Sequence, residues 1–151
     1  MKFWDASVII PLCLEEPRTP LLKKVSEEDE AIVVWWGTPV ECYSAFARLR
    51  REGVLSADDE DQACYILGRL ATAWTEVEPS QEVREQAQRV LRLHPVRAAD
   101  ALQLAAALVW VQGQPFGQHF VCLDRRLREA AQREGFLIFP ASEQPQEPRT
   151  P

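Results

Sequence analysis

Four acidic residues of this chain stand where carboxylates could act together: Asp5, Glu41, Asp100 and Asp124. Each ends a strand-like run or opens a helix-like one. In a parallel α/β sheet such positions lie at the carboxyl edge, where ligands bind. Trp4 and Val8 to Ile10 surround Asp5, and alanines and leucines surround Asp100, so an ionised carboxylate there would lie against surface that solvates it poorly. No lysine stands beside any of the four to neutralise it. Grouped carboxylates without a cationic partner are what hard divalent cations such as Mg²⁺ or Mn²⁺ require. Taken singly, each acid also has a structural use. Glu41 would complete a capping box with Thr38, Asp100 would complement a helix dipole, and Asp5 or Asp124 would cap the helix that follows.

The elements that must carry these acids alternate from the first residue. Lys2 to Asp5 reads as a short strand, and Ala6 to Glu15 with Pro17 to Val25 as two helical pieces around proline breaks. Glu27 to Glu30 is an acidic loop, and Ala31 to Trp36 is a β-branched and aromatic run suited to a buried strand. A helix then opens with Thr38 as N-cap and Pro39 at its first position, with Val40, Tyr43, Phe46, Ala47, Leu49 and Arg50 on its inner face and Gly53 closing it. Ser56 caps the next helix, whose first turn holds Asp58, Asp59, Glu60 and Asp61. A weak strand at Trp74 to Glu78 precedes a helix from Pro79 to about Leu93, and the alanine- and leucine-rich run Ala98 to Gln112 reads as a central buried helix. Phe120 to Leu123 is a strand ending at Asp124, a basic helix runs to Glu134, and Phe136 to Phe139 is the last strand. This alternation is the pattern of an α/β domain with a mostly parallel sheet. Right-handed winding would bring all four acids to one edge of it. The expected organisation is one domain over 1–139 and a flexible, proline-rich tail over 140–151.

The 151 residues carry 23 acidic against 17 basic side chains, a formal charge of -6, which argues against indiscriminate electrostatic binding of nucleic acid. The total sums unlike regions. Residues 27–30 and 58–61 are all acidic and expected on outer surfaces, whereas eight arginines against four acids make residues 84–133 net +4. The basic residues are arginines apart from Lys2, Lys23 and Lys24, and planar guanidinium suits phosphate better than ammonium does. No apolar run approaches the roughly 20 residues of a membrane span. Asp5 and Pro11 interrupt the opening segment, which is read as structure and not as a signal peptide. Cys13, Cys42, Cys64 and Cys122 form no CxxC pair, so buried thiols in a reducing cytoplasm are expected.

Four segments resemble PIN-domain ribonucleases, most closely the VapC-type toxins of bacterial toxin-antitoxin pairs. They are Phe3-Trp4-Asp5-Ala6-Ser7-Val8-Ile9, Thr38 to Arg48 around Glu41, Arg97 to Ala105 around Asp100, and Leu123-Asp124-Arg125-Arg126-Leu127. The resemblance runs in order over residues 1 to about 139. It implies a PIN-like three-layer α/β/α fold, with Asp5, Glu41, Asp100 and Asp124 as a catalytic, metal-binding quartet and Ser7 as a supporting hydroxyl. Gln103 departs from the pattern, since many relatives have histidine there, and this puts a local hydrogen bond in question. The implied activity is hydrolysis of RNA phosphodiesters with Mg²⁺ or Mn²⁺, in which the ions polarise the phosphate, activate water and stabilise the leaving oxygen. The implied partners are RNA, an antitoxin and a second copy of the chain, with no membrane. Only His94, before Pro95, and His119, at the edge of a strand, are histidines, too few for a paired-histidine ribonuclease. Arginines near the acids, among them Arg48, Arg97 and Arg125, suit a phosphate backbone or an ordinary helix surface; no substrate-binding residue is assigned.

Competing enzyme classes fit less well. A haloacid-dehalogenase site wants a second aspartate where Ser7 stands, a receiver domain wants a late lysine, and a Rossmann domain wants G-x-G-x-x-G. Two alternatives stay open: a PIN-like nuclease of RNA maturation, and an inactive α/β binding module whose acids only cap helices.

Overall fold

The computed structural model describes residues 1–141. These form five strands, β1 (Lys2–Trp4), β2 (Ile32–Trp35), β3 (Thr75–Val77), β4 (His119–Val121) and β5 (Leu137–Phe139). Seven helices join them: α1 (Ala6–Cys13), α2 (Thr19–Glu28), α3 (Thr38–Arg51), α4 (Ala57–Ala71), α5 (Gln81–Leu93), α6 (Ala98–Trp110) and α7 (Arg125–Glu134). Apart from Pro140 and Ala141, the expected tail lies outside the described residues.

The strands make one sheet in the order β3-β2-β1-β4-β5, every pairing parallel. Side chains alternate across it. Phe3, Val33 and Phe120 point into a core shared with α5, α6 and α7, whereas Trp4, Val34 and Val121 point into one shared with α1 to α4. That period of two, imposed by the strand backbone, generates the α/β/α layering. The chain winds outward from β1 to β3, then returns to lay β4 on the other side of β1. The β1/β4 boundary is therefore the switch point of the sheet, where diverging connections leave a crevice at the carboxyl ends.

Local structure departs from expectation in four places. Pro11 lies inside α1 and does not break it. The break falls after Leu14, where the buried Thr19 hydroxyl lies 2.7 Å from the Pro11 carbonyl and 2.9 Å from that of Leu14, meeting acceptors that a helix end leaves open. At α3 the N-cap is Gly37, not Thr38, and no side chain caps it. A Cβ at Gly37 would fall 2.5 Å from the Trp35 indole nitrogen, so this turn needs glycine. The inner face of α3 is Thr38, Cys42, Ala45 and Phe46, a true i, i+4, i+7, i+8 stripe, which leaves Val40 and Tyr43 exposed.

The fourth departure is the acidic segment 27–30. Glu27 and Glu28 extend α2, and Asp29 turns inward with its side chain fully buried. Its Oδ2 accepts the Lys2 amide at 3.1 Å and the indole N–H of buried Trp4 at 2.9 Å, which fixes β1 against the end of α2. Replacing Asp29 with Ala leaves that indole donor without a partner and is expected to cost about 2 kcal/mol. Chemical denaturation of the variant measures the loss.

Candidate active site

The fold carries the four acids to neighbouring positions around the switch point. Asp5 follows β1 directly and is the N-cap of α1, its Oδ2 accepting the Ser7 amide at 3.0 Å. The main chain at Asp5 donates to the Val121 carbonyl at 3.0 Å, so the residue is stitched to β4 as well. Asp124 caps α7 through a 2.9 Å bond from the Leu127 amide to Oδ1. Glu41 and Asp100 occupy the first turns of α3 and α6. Each cap geometry expected of Asp5 and Asp124 is present, and it orients the carboxylate at the same time.

Electrostatics ties the group together. Burial pushes the Asp5 carboxyl above the usual range, and only about 4% of the residue is exposed. Burial first, then the like charges of Asp5 and Asp100, pushes Glu41 up to about 7. Asp100 is raised by burial and by the charges of Asp124 and Asp5. The four acids thus form one connected set, linked as Asp5–Glu41, Asp5–Asp100, Glu41–Asp100 and Asp100–Asp124. Among the described residues none of them forms a salt bridge. Arg97 lowers Asp100 only as a minor influence.

Neighbouring side chains complete the site, and of these Thr38 and Cys122 were not legible in the sequence as site residues. Gln103, fully buried on α6, donates through Nε2 to the Thr38 hydroxyl at 3.0 Å and to Glu41 Oε2. At the position where the sequence departs from the resembled pattern, an amide thus makes hydrogen bonds inside the site. Thr38 serves as an acceptor inside the site and not as a cap. Ser7 accepts the Leu123 amide at 2.9 Å and donates to Cys122 Sγ at 3.6 Å, bracing α1 against the β4–α7 connection. The Cys122 thiol in turn lies 3.6 Å from Asp5 Oδ2; it is two residues before Asp124, but its apolar context masked it. His94 lies outside the site as a buried C-cap of α5, its Nε2 at 2.8 Å from Glu134.

The donor chemistry suits a hard divalent cation, since four carboxylates share a partly buried edge and, among the described residues, none is in a salt bridge. Among the described residues, no three His, Cys, Asp or Glu side chains are arranged to hold an ion directly. Asp5 Oδ2, Glu41 Oε2 and Asp124 Oδ1 are engaged by hydrogen bonds from the protein. This arrangement would fit an ion that keeps several of its waters, with the carboxylates reaching it directly or through them.

Compared with known proteins, the chain matches no family model and no curated protein. It is similar to solved structures, among them one from Pyrobaculum aerophilum and one from Neisseria gonorrhoeae. PAE2754 from Pyrobaculum aerophilum shares a TM-score of 0.63 and 20% identity over 91% of this chain and 87% of that one. FitAcB from Neisseria gonorrhoeae shares a TM-score of 0.62 and 16% identity over 93% of this chain and 97% of that one. The likeness spans nearly the whole of all three chains and establishes a common fold.

Proposed function

From this PIN-like α/β/α fold, we propose that the chain is a metal-dependent endoribonuclease, the toxin of a type II toxin-antitoxin pair. The observation that carries the reading is the convergence of four carboxylates, none of them in a salt bridge among the described residues, at the switch point of the sheet. The RNA substrate, the antitoxin partner and a homodimer belong to the same proposal and are supported by the four sequence motifs. Among the described residues no helix is long and apolar enough to cross a membrane.

In this reading Asp5, Glu41, Asp100 and Asp124 would hold Mg²⁺ or Mn²⁺. Such an ion, when bound, supplies charge neutralisation at the phosphate and a more acidic water. The chain's own contribution is orientation and proton handling. The Ser7 amide and the Cys122 thiol fix the Asp5 carboxylate, so it meets a ligand without rotamer searching. Gln103 holds Glu41 at Oε2, which leaves Oε1 to take a proton from attacking water.

Purified protein with single-stranded RNA tests the reading. Cleavage is expected with Mg²⁺ or Mn²⁺ and is lost in chelator. Absence of cleavage with either metal returns the chain to an α/β binding module.

A further inference from the structure

A cavity of about 220 Å³ lies on the α7 flank of the acids, lined by Arg18, Leu21, Leu123, Arg125, Arg128 and the end of the described chain at Pro140 and Ala141. Arg128 is its built element. Its Nη1 donates to the Cys122 carbonyl at 2.7 Å and its Nη2 to the Pro140 carbonyl at 2.8 Å. Guanidinium has five N–H donors, so this clamp holds the group rigid without exhausting it. The clamp satisfies donors with two carbonyls, which carry no formal charge to neutralise the cation. Among the described residues Arg128 and Arg18 form no ion pair, and Arg125 has only an exposed i, i+4 contact with Glu129, which is weak in water. A half-buried, immobilised cation flanked by two more arginines is a site for an anion.

Its place in the fold says which anion. The carbonyl that Arg128 grips belongs to Cys122, whose thiol contacts Asp5, and Leu123 and Arg125 flank Asp124. Leu21 and Leu123 add apolar surface beside the charges. Positive charge next to apolar surface, beside a carboxylate cluster, matches an alternation of phosphate with sugar and base. We propose that this pocket binds a backbone phosphate of the RNA strand next to the one that is cut. The inference rests on the ribonuclease reading for its ligand and sets the strand's direction, leading it from the acids across the start of α7 towards Arg18.

The test is binding without cleavage. The full chain is titrated into a labelled single-stranded RNA in chelator, over a range of salt, and fluorescence anisotropy is read. Arg18 is exposed in the α1–α2 connection, so Arg18→Ala and Arg18→Glu keep the fold. Losing one phosphate contact is expected to weaken binding several-fold and to lower the slope of log K against log salt by about 0.7. Arg128→Lys, which breaks the fork, is expected to weaken binding as well, with circular dichroism checking its fold. Arg84→Ala on α5 makes the same change of charge away from the pocket and is expected to leave the slope unaltered. An equal loss in Arg84→Ala, an unchanged slope in Arg18→Ala, or no RNA binding at all overturns the proposal. Cleavage reports separately: a chain that binds through Arg18 without cutting keeps the pocket and loses the nuclease, and one that cuts while indifferent to Arg18 does the reverse.

Discussion

Asp5→Asn is expected to reduce metal-dependent RNA cleavage by roughly a thousandfold or more, as loss of one charge-stabilising group at a reaction centre commonly does, while the protein stays folded. The two outcomes come from different properties of one side chain, its acceptor oxygen and its charge. Structurally, Asp5 is an N-cap, and asparagine caps as well as aspartate does, because its side-chain oxygen accepts the Ser7 amide equally. Chemically, the buried carboxylate supplies the negative charge facing Glu41 and Asp100, and an amide supplies none. The same substitution removes a repulsion, so the melting temperature is expected to hold or rise. Steady-state cleavage and a thermal melt on one preparation decide the matter. Wild-type rates in an Asp5→Asn preparation free of contaminating nuclease would remove Asp5 from the mechanism.

The second large effect is on stability, and its sign is opposite to that of ordinary acid denaturation. Glu41 ionises at about 7 in the folded protein against 4.5 in the unfolded chain. Between those values the unfolded chain binds fewer protons, so stability falls as pH rises, and the penalty is complete above pH 7. Discounted for the partial exposure of Glu41, the penalty is on the order of 2 kcal/mol. About half of it falls between pH 5.5 and 7.5, which for a domain of this size corresponds to a drop of about 2–4 °C in Tm in chelator. Glu134 works the other way, since burial alone would raise its carboxyl but bonds from Arg89 and His94 hold it low. That contribution is present above its unfolded value and is lost only on further acidification. Comparison with Glu41→Gln, which leaves the His94 pair intact, isolates the Glu41 contribution and is expected to flatten the pH slope. Mg²⁺ at pH 7.5 is expected to restore the loss, by about 2.7 kcal/mol at a hundred times its Kd. A melt indifferent to both pH and Mg²⁺ would argue against a metal-binding acid cluster.

Much of the architecture was open to inspection in the linear chain because it is written in short-range chemistry. Ser56 caps α4 as its place before four acids implied, the helix ending at Leu93 is present as α5, and Ala101, Ala105, Ala106 and Ala107 of α6 are buried as its composition implied. The chain positions of Asp5, Glu41, Asp100 and Asp124 at element boundaries follow from the same local signals. Faces were less legible than elements. In α3, apolar residues occur all round the helix, and only packing against α1 and α4 chooses Cys42, Ala45 and Phe46 over Val40 and Tyr43.

What an isolated sequence determined here was which groups exist and which end of which element carries each. How those groups meet was decided by contacts between residues far apart in the chain. Gln103 reaches Thr38 and Glu41 across more than 60 positions, and Cys122 reaches Asp5 across 117. Asp29, one of four acids in a row, is drawn inward because two N–H donors of β1 need an acceptor there. Capping and periodicity act within a turn or two of chain, so residue order records them. The field of one carboxylate on another depends on distance in space, which is set only when the sheet closes β1 between β2 and β4.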